Sequence, residues 1–229
     1  MISRSSRYLR HDAVKATADA RRPLPVPFIA LMVVTLVGLA GFAWSERATF
    51  YLVAQRAVIT DIPSAGRDSN GVWPTIEGAV SWKLTNGDRD PALEAFIDMP
   101  PVALTMTLTI RKNPDAALPA SHIIEIVARV PSEFPKRAIV DIGPLAFKSN
   151  PEARGTPLFG SMVKQGDDTY LMGLSPVPAD VEANLKIMEK NFLELPLTYA
   201  SGQRGTLTFE KGTAGTPIFT RALAAWRED

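Results

Sequence analysis

The chain has 229 residues, a net charge of +1 and no cysteine. Residues 46–229 carry a net charge of −3, and a mildly acidic domain gives no electrostatic footprint for nucleic acid, so we expect no nucleic-acid partner. The missing cysteines exclude thiol catalysis, iron–sulfur clusters and cysteine-ligated zinc, and we expect no cofactor. Without disulfides, a folded domain of this size must be stabilised by its hydrophobic core.

An uncharged run of nineteen residues, 26–44, predicts a transmembrane helix. At 1.5 Å per residue it nearly covers a hydrocarbon core of about 30 Å. Pro25 and Pro27 stand at its start, where the missing N–H of proline costs a helix least. Trp44 stands at its end, at the depth where indole rings favour the headgroups. We therefore expect the lipid bilayer to be one partner of this chain.

Basic residues flank this run on one side only, which predicts its orientation. Residues 1–25, a basic tail, carry a net charge of +4, and residues 46–229 carry −3. Because cytoplasmic flanks are enriched in Lys and Arg, the N-terminus is predicted to be cytoplasmic. The alternative is a signal peptide cleaved after Gly41-Phe42-Ala43. Its apolar region would be longer than the usual length of about 7–15 residues, so we favour an uncleaved anchor.

Small residues recur along one side of the predicted helix, namely Thr35, Gly38, Gly41 and Ser45. Such a face lets a second membrane helix approach closely. Small residues are also common in membrane helices that lack a partner. A partner helix therefore stays one of two interpretations of this face.

Residues 45–75 are interpreted as a juxtamembrane segment and linker, with a candidate first strand at Gln55–Ile62. A β-rich domain is predicted for residues 76–229. Its clearest strand is Ala103–Arg111, in which apolar residues alternate with three threonines. The same alternation in His122–Val130 predicts a paired neighbour. Ile76–Leu84 and Leu93–Met99 are further predicted strands.

The C-terminal half predicts two hairpins and two helices. The hairpins are Ser161–Gln165 with Tyr170–Leu174, and Leu193–Tyr199 with Thr206–Phe209. The helices are Asp180–Phe192 and Thr216–Trp226. In the second, Thr216 is the predicted cap and Pro217 the first helical residue, and Trp226 is expected to dock beside Phe209 or its neighbours. The fold class that follows is mainly β: one N-terminal transmembrane helix, then an antiparallel β-sandwich-like domain with two short α-helices.

No motif in the sequence predicts catalysis. Ser161 and Lys164 match the SxxK spacing of serine–lysine enzymes, but they lie in a predicted strand, where such positions point to opposite faces. His122 has no second histidine in the predicted domain, and we interpret it as structural. Arg111, Lys112 and Arg154 are candidate interaction residues, or else ordinary solvated positions at strand and loop ends.

Four stretches carry a resemblance to a group of proteins: Leu108–Ile126, Ala153–Gly160, Tyr170–Ser175 and Glu210–Trp226. They are similar to the C-terminal region of uncharacterised single-pass, membrane-anchored proteins of alphaproteobacteria, of the rhizobial type. The resemblance spans about residues 54–227. It implies a bacterial inner membrane and a periplasmic domain, and it implies no catalytic residue.

The sequence favours a non-enzymatic interaction protein, an accessory or assembly subunit beside another membrane protein or an envelope complex. The alternative is a periplasmic sensor or carrier domain that binds a small molecule or lipid between its sheets. A cavity of about 300 Å³ or more would favour that alternative. A hydrolase would instead require a nucleophile and a base within hydrogen-bonding reach.

Overall fold

A computed structural model describes residues 54–62, 74–85 and 91–228 of the chain. These residues form a mainly β structure with two α-helices, which confirms that part of the predicted fold class. Within them, no helix is both long enough and apolar enough to cross a membrane. The predicted anchor, with Thr35, Gly38, Gly41 and Ser45, lies outside the described residues.

Twelve strands and two helices follow one another along the described chain. They are β1 (Gln55–Ile62), β2 (Thr75–Thr85), β3 (Ala92–Met99), β4 (Leu104–Lys112), β5 (His122–Arg129), β6 (Ile139–Ile142), β7 (Ala146–Lys148), β8 (Thr156–Pro157), β9 (Gly160–Lys164), β10 (Thr169–Leu174), α1 (Pro178–Ile187), β11 (Phe192–Tyr199), β12 (Arg204–Glu210) and α2 (Gly212–Arg227).

All strands belong to one antiparallel sheet with the order β8-β7-β11-β12-β1-β2-β3-β4-β5-β10-β9, and β6 pairs with β11 beside β7. Both predicted hairpins and the pairing of β4 with β5 are present. The candidate first strand is also present, and it lies between β12 and β2. The sheet therefore includes residues that precede position 76.

The sheet curls until its two ends meet, so the predicted sandwich of two sheets is wrong. Its terminal strands, β8 and β9, are separated in the chain only by Leu158 and Phe159. The Leu158 N–H donates to the Leu145 carbonyl (3.0 Å), and the Phe159 carbonyl accepts from the Ser175 N–H (2.9 Å). One bent segment thus contacts the β7 side and the β10 side together, at the two ends of one continuous series of paired strands.

The buried residues lie on the inner face of this curled sheet. In β4, Leu104, Met106, Leu108 and Ile110 are buried while the three intervening threonines are half-buried. This alternation arises because successive strand side chains point to opposite faces. The inner residues of all the long strands join a single hydrophobic core.

Helix α2 lies against the inner face and supplies a second set of aromatic side chains. Phe219 contacts Trp82 edge-on with ring centroids 5.0 Å apart, and it contacts Phe147 at 6.2 Å. Trp226 is buried, its indole N–H donates to the Pro91 carbonyl (3.1 Å), and its ring meets His122 at 4.9 Å. The prediction that this helix docks on the sheet is confirmed.

Both helices differ in extent from their predictions. Helix α1 ends at Ile187, because Phe192 is drawn into the sheet by pairing with Glu210 and with Lys148. Helix α2 begins at Gly212, four residues before the predicted cap Thr216.

The proposed capping arrangement of α2 is therefore wrong. Thr216 donates its hydroxyl to the Gly212 carbonyl (2.6 Å) instead of capping a helix end. Pro217 lies inside the helix, where it removes one backbone hydrogen bond. The Trp226 ring contacts the His122 ring at 4.9 Å, and the Phe209 ring stacks on Trp82 at 6.1 Å.

Candidate functional site

A groove of about 570 Å³ lies on the outer face of the sheet, over strands β2, β1, β12, β11 and β7; we call it the outer groove. It is on the opposite side of these strands from the core, because most of its lining positions on β1 and β12 alternate with buried ones. Phe209, a core residue, also borders it. Its described lining residues are Arg56, Val58, Thr60, Ile62, Thr75, Lys148, Pro151, Phe192, Glu194, Thr206, Thr208, Phe209 and Glu210.

The strand register arranges hydroxyl groups in a row across the floor of the outer groove. Thr60 on β1 pairs with Thr206 on β12 and with Thr75 on β2. Directly opposite residues in an antiparallel sheet have Cβ atoms about 4.5–5.5 Å apart, so the three hydroxyls follow one line. The adjacent row brings Thr208 opposite Val58 and Glu194. The floor therefore offers hydroxyl donors and acceptors at regular spacing.

An ion pair between buried Lys148 and half-buried Glu194 forms one side of the outer groove. Lys148 is only 6 % exposed, and its ammonium lies 2.7 Å from a Glu194 carboxylate oxygen. The same ammonium is 3.4 Å from the Thr208 hydroxyl. A buried ammonium is tolerated when it is paired and hydrogen-bonded, and these two partners provide that compensation. The pair fixes both side chains in place.

The other side of the outer groove carries an exposed charge pair. The Arg56 guanidinium donates to Glu77 at 2.8 Å, and the Arg56 backbone N–H donates to the Glu210 carboxylate at 3.1 Å. Because Arg56 and Glu77 are both well exposed, their ion pair contributes little stability. Two cations and two carboxylates line the groove, so its formal charge is balanced.

The backbone beneath the groove is occupied by sheet hydrogen bonds. Strand β1 pairs on both sides, with β12 and β2, and β12 pairs with β1 and β11. Strand β11 pairs with β12 on one side and with β6 and β7 on the other. A ligand in the groove therefore meets side chains and finds no free strand edge.

Lys211 is the most unusual ionisable group of the core. It is 1 % exposed, donates from its ammonium to the Met188 carbonyl, and lies 3.9 Å from the centre of the Phe219 ring. Burial lowers the pKa of Lys211 to about 7, and nearby Glu189 opposes that shift. Lys211 does not line the outer groove, and we interpret it as a structural residue.

His122 is also buried, and its Nε2 atom has no hydrogen-bond partner among the described residues. Burial, followed by the nearby Lys112 charge, lowers the pKa of His122 to about 4, so the ring is neutral at pH 7. In the described ranges, no group of three or more His, Asp or Glu side chains could hold a metal ion. The His122 ring contacts the Trp226 ring, with centroids 4.9 Å apart.

The sequence-predicted interaction residues do not come together at the outer groove. Arg111 and Lys112 end β4 half-buried, and the Arg111 guanidinium donates to the Lys112 carbonyl at 3.5 Å. Arg154 is exposed in the loop that also contains the lining residue Pro151. None of the three is among the described residues that line the groove.

Ser161 and Lys164 lie three positions apart on β9 and therefore point to opposite faces of that strand. Ser161 pairs with Gly173, while the Lys164 ammonium lies 5.5 Å from the centre of the Tyr170 ring. The SxxK arrangement of a serine–lysine enzyme requires both side chains on one face. This pair does not form such a dyad.

Sequence reasoning missed the outer groove, although one signal was present. In Gln55–Ile62 the residues Val58, Thr60 and Ile62 alternate with Ala57 and Ile59, which indicates two different faces. Which other strands contribute to the outer face follows only from pairing between segments about 150 residues apart in the sequence.

Comparisons of the chain with family models, with curated proteins and with solved structures find no match.

Proposed function

We propose that this chain is a single-pass inner-membrane protein whose periplasmic β-domain binds an envelope component through the outer groove, without catalysing a reaction. The groove itself is the observation that carries the proposal. It combines accessible volume, fixed charges and a row of hydroxyl groups in one place.

The arrangement of charges in the groove favours binding over catalysis. The Lys148 ammonium is committed to Glu194, and the Arg56 guanidinium is committed to Glu77. A threonine nucleophile would need an adjacent base that is oriented by a third group. The threonine hydroxyls instead lie beside one another across neighbouring strands, an arrangement suited to hydrogen bonding with a ligand.

The membrane part of the proposal rests on the sequence. Residues 26–44 are uncharged, and the basic residues precede them. That pattern predicts an N-terminus in the cytoplasm and a C-terminal domain in the periplasm. The small residues Thr35, Gly38, Gly41 and Ser45 would suit contact with a helix of another membrane protein.

The volume of the groove favours a second candidate function, that of a sensor or carrier for a small ligand. Ligand sites in proteins commonly occupy about 300–1,000 Å³. The outer groove, at about 570 Å³, lies inside that range. It lies on the outer face of the sheet, whereas the sequence-based alternative placed the ligand between two sheets.

Site-specific photo-crosslinking in bacterial membranes tests the interaction. A photoreactive residue replaces Thr60 in the full chain, and Thr107 serves as the matched control. Thr107 is a half-buried threonine on the outer face of β4, away from the groove. We expect an adduct from position 60 that is absent from position 107. Equal labelling at both positions, or none at either, would contradict binding in the groove.

Reporter fusions test the predicted topology. Alkaline phosphatase, which is active only after export, is fused after Asp229 and, in a second chain, near residue 20. The predicted orientation gives activity from the first fusion and none from the second. The reverse pattern would overturn the proposed location of the domain.

A further inference from the structure

We propose that the outer groove recognises a short neutral oligosaccharide. This inference rests on the proposed function, because it names the ligand class for the same groove. It follows from three properties of the lining: balanced charge, a row of hydroxyl groups, and apolar side chains placed among them.

Charge balance argues against a strongly charged ligand. The lining contains two cationic side chains, Arg56 and Lys148, and two carboxylates, Glu194 and Glu210. A polyanion would meet two carboxylates, and a polycation would meet two basic groups held by their own partners. A neutral ligand avoids both conflicts, and it can still use these groups as hydrogen-bond donors and acceptors.

The hydrogen-bonding inventory matches a ligand that is rich in hydroxyl groups. Thr60, Thr75, Thr206 and Thr208 each offer one donor and acceptor sites. Glu194 and Glu210 offer carboxylate oxygens, which accept from ligand hydroxyls in charge-assisted bonds. A sugar presents several hydroxyls at short intervals, each able both to donate and to accept, so it can satisfy many of these groups together.

Apolar groups in the lining complete the match. Val58 and Phe192 are half-buried among the polar residues, and Ile62 is 48 % exposed. The C–H surfaces of a sugar ring can cover such side chains while its hydroxyls reach their polar neighbours. A lipid chain would need a continuous apolar floor, and the threonine row interrupts the floor of this groove.

An extended peptide is the main competitor, and the sheet disfavours it. Peptides that bind to sheets commonly add a strand at a free edge, where the main chain supplies the affinity. The strands beneath the groove are paired on both sides, so no such edge is offered there. A peptide would have to satisfy its own backbone through side chains alone.

Saturation-transfer NMR on the full chain in lipid nanodiscs tests the inference without sugar-containing detergents, which would compete for the groove. The probes are cellotriose and the trimer of N-acetylglucosamine, with trialanine as the peptide comparison. We expect saturable binding of at least one sugar and none of trialanine. Thr60→Val and Thr206→Val preserve side-chain shape but remove a hydroxyl, and each should weaken binding by about tenfold.

Thr107→Val is the matched control, since it removes a hydroxyl from the same face of the sheet outside the groove, and it should bind the sugar like the parent chain. Sugar binding that survives both groove substitutions would overturn the inference. So would trialanine binding in the absence of sugar binding.

A protein adduct at position 60 without sugar binding would refute the oligosaccharide and retain the proposed interaction. The absence of both an adduct and sugar binding would refute the two proposals together.

Discussion

Gly215 of α2 lies directly against the indole ring of Trp82. A Cβ atom at this glycine would come within 2.7 Å of the Trp82 Cδ1 atom and 2.9 Å of its Nε1 atom. The Trp82 ring cannot easily move aside, because its N–H donates to the Glu210 carbonyl at 3.0 Å and its face stacks on Phe209. The missing side chain at position 215 thus sets how closely the helix approaches the sheet.

Gly215→Ala should therefore destabilise the domain, although alanine normally favours a helix over glycine by about 0.5–1 kcal/mol. We expect a net cost of about 1–3 kcal/mol from overpacking, measured by urea unfolding of residues 47–229, which form one compact unit. Gly166→Ala is the control, because a Cβ there meets nothing within 4 Å. Equal stability of the two variants would show that the helix can shift without cost.

Asn184 should be needed to close the curled sheet. Its side-chain oxygen accepts from the Phe159 N–H at 2.7 Å, and its amide donates to the Phe159 carbonyl at 2.9 Å. The Phe159 carbonyl also accepts from the Ser175 N–H, so it keeps one hydrogen bond in Asn184→Ala. The Phe159 N–H loses the one hydrogen-bond partner that it has among the described residues. The expected cost is about 1–3 kcal/mol, with faster hydrogen exchange at Phe159. Glu182→Ala, at an exposed position of the same helix, should change neither quantity.

Lys211 should make the free energy of unfolding depend on pH above pH 7. Its pKa is about 7 in the folded domain against an ordinary value of 10.5. Between these values the unfolded chain binds more protons, so the free energy of unfolding should rise as the pH rises from 7 towards 10.5. In Lys211→Met this contribution is absent. Urea unfolding at pH 7, 8 and 9 measures both slopes, and parallel pH profiles for the two proteins would refute the buried, low-pKa lysine.

Trp226 should contribute strongly to stability, since it is 4 % exposed and its indole N–H donates to the Pro91 carbonyl. Trp226→Ala is expected to cost about 3–5 kcal/mol. Trp226→Phe retains most of the ring contact with His122 and loses the indole hydrogen bond, so its cost should be smaller, about 1–2 kcal/mol. Thermal melts measure which of the two variants is less stable. An unchanged midpoint in Trp226→Ala would show that α2 does not stabilise the core.

Local patterns in the sequence were sufficient for most of the longer strands. The alternation in Ala103–Arg111 and His122–Val130 reports directly which side chains face the core, because burial in a strand repeats every second residue. Short strands such as Ala146–Lys148 and Thr156–Pro157 carry too few residues for that signal. Their pairing depends on the neighbouring strands.

Residue patterns within single segments were enough to predict the β-rich class, the two hairpins and two helices in the C-terminal half, and the lack of cysteine excluded thiol chemistry. That the strands form one curled sheet became clear from the three-dimensional structure alone, since Leu158 and Phe159 hydrogen-bond to two distant segments. The three-dimensional structure also decided the outer groove, because Thr60 and Thr206 become neighbours through strand pairing alone. Period-two patterns are local, whereas register and closure are set by contacts between residues far apart in the chain.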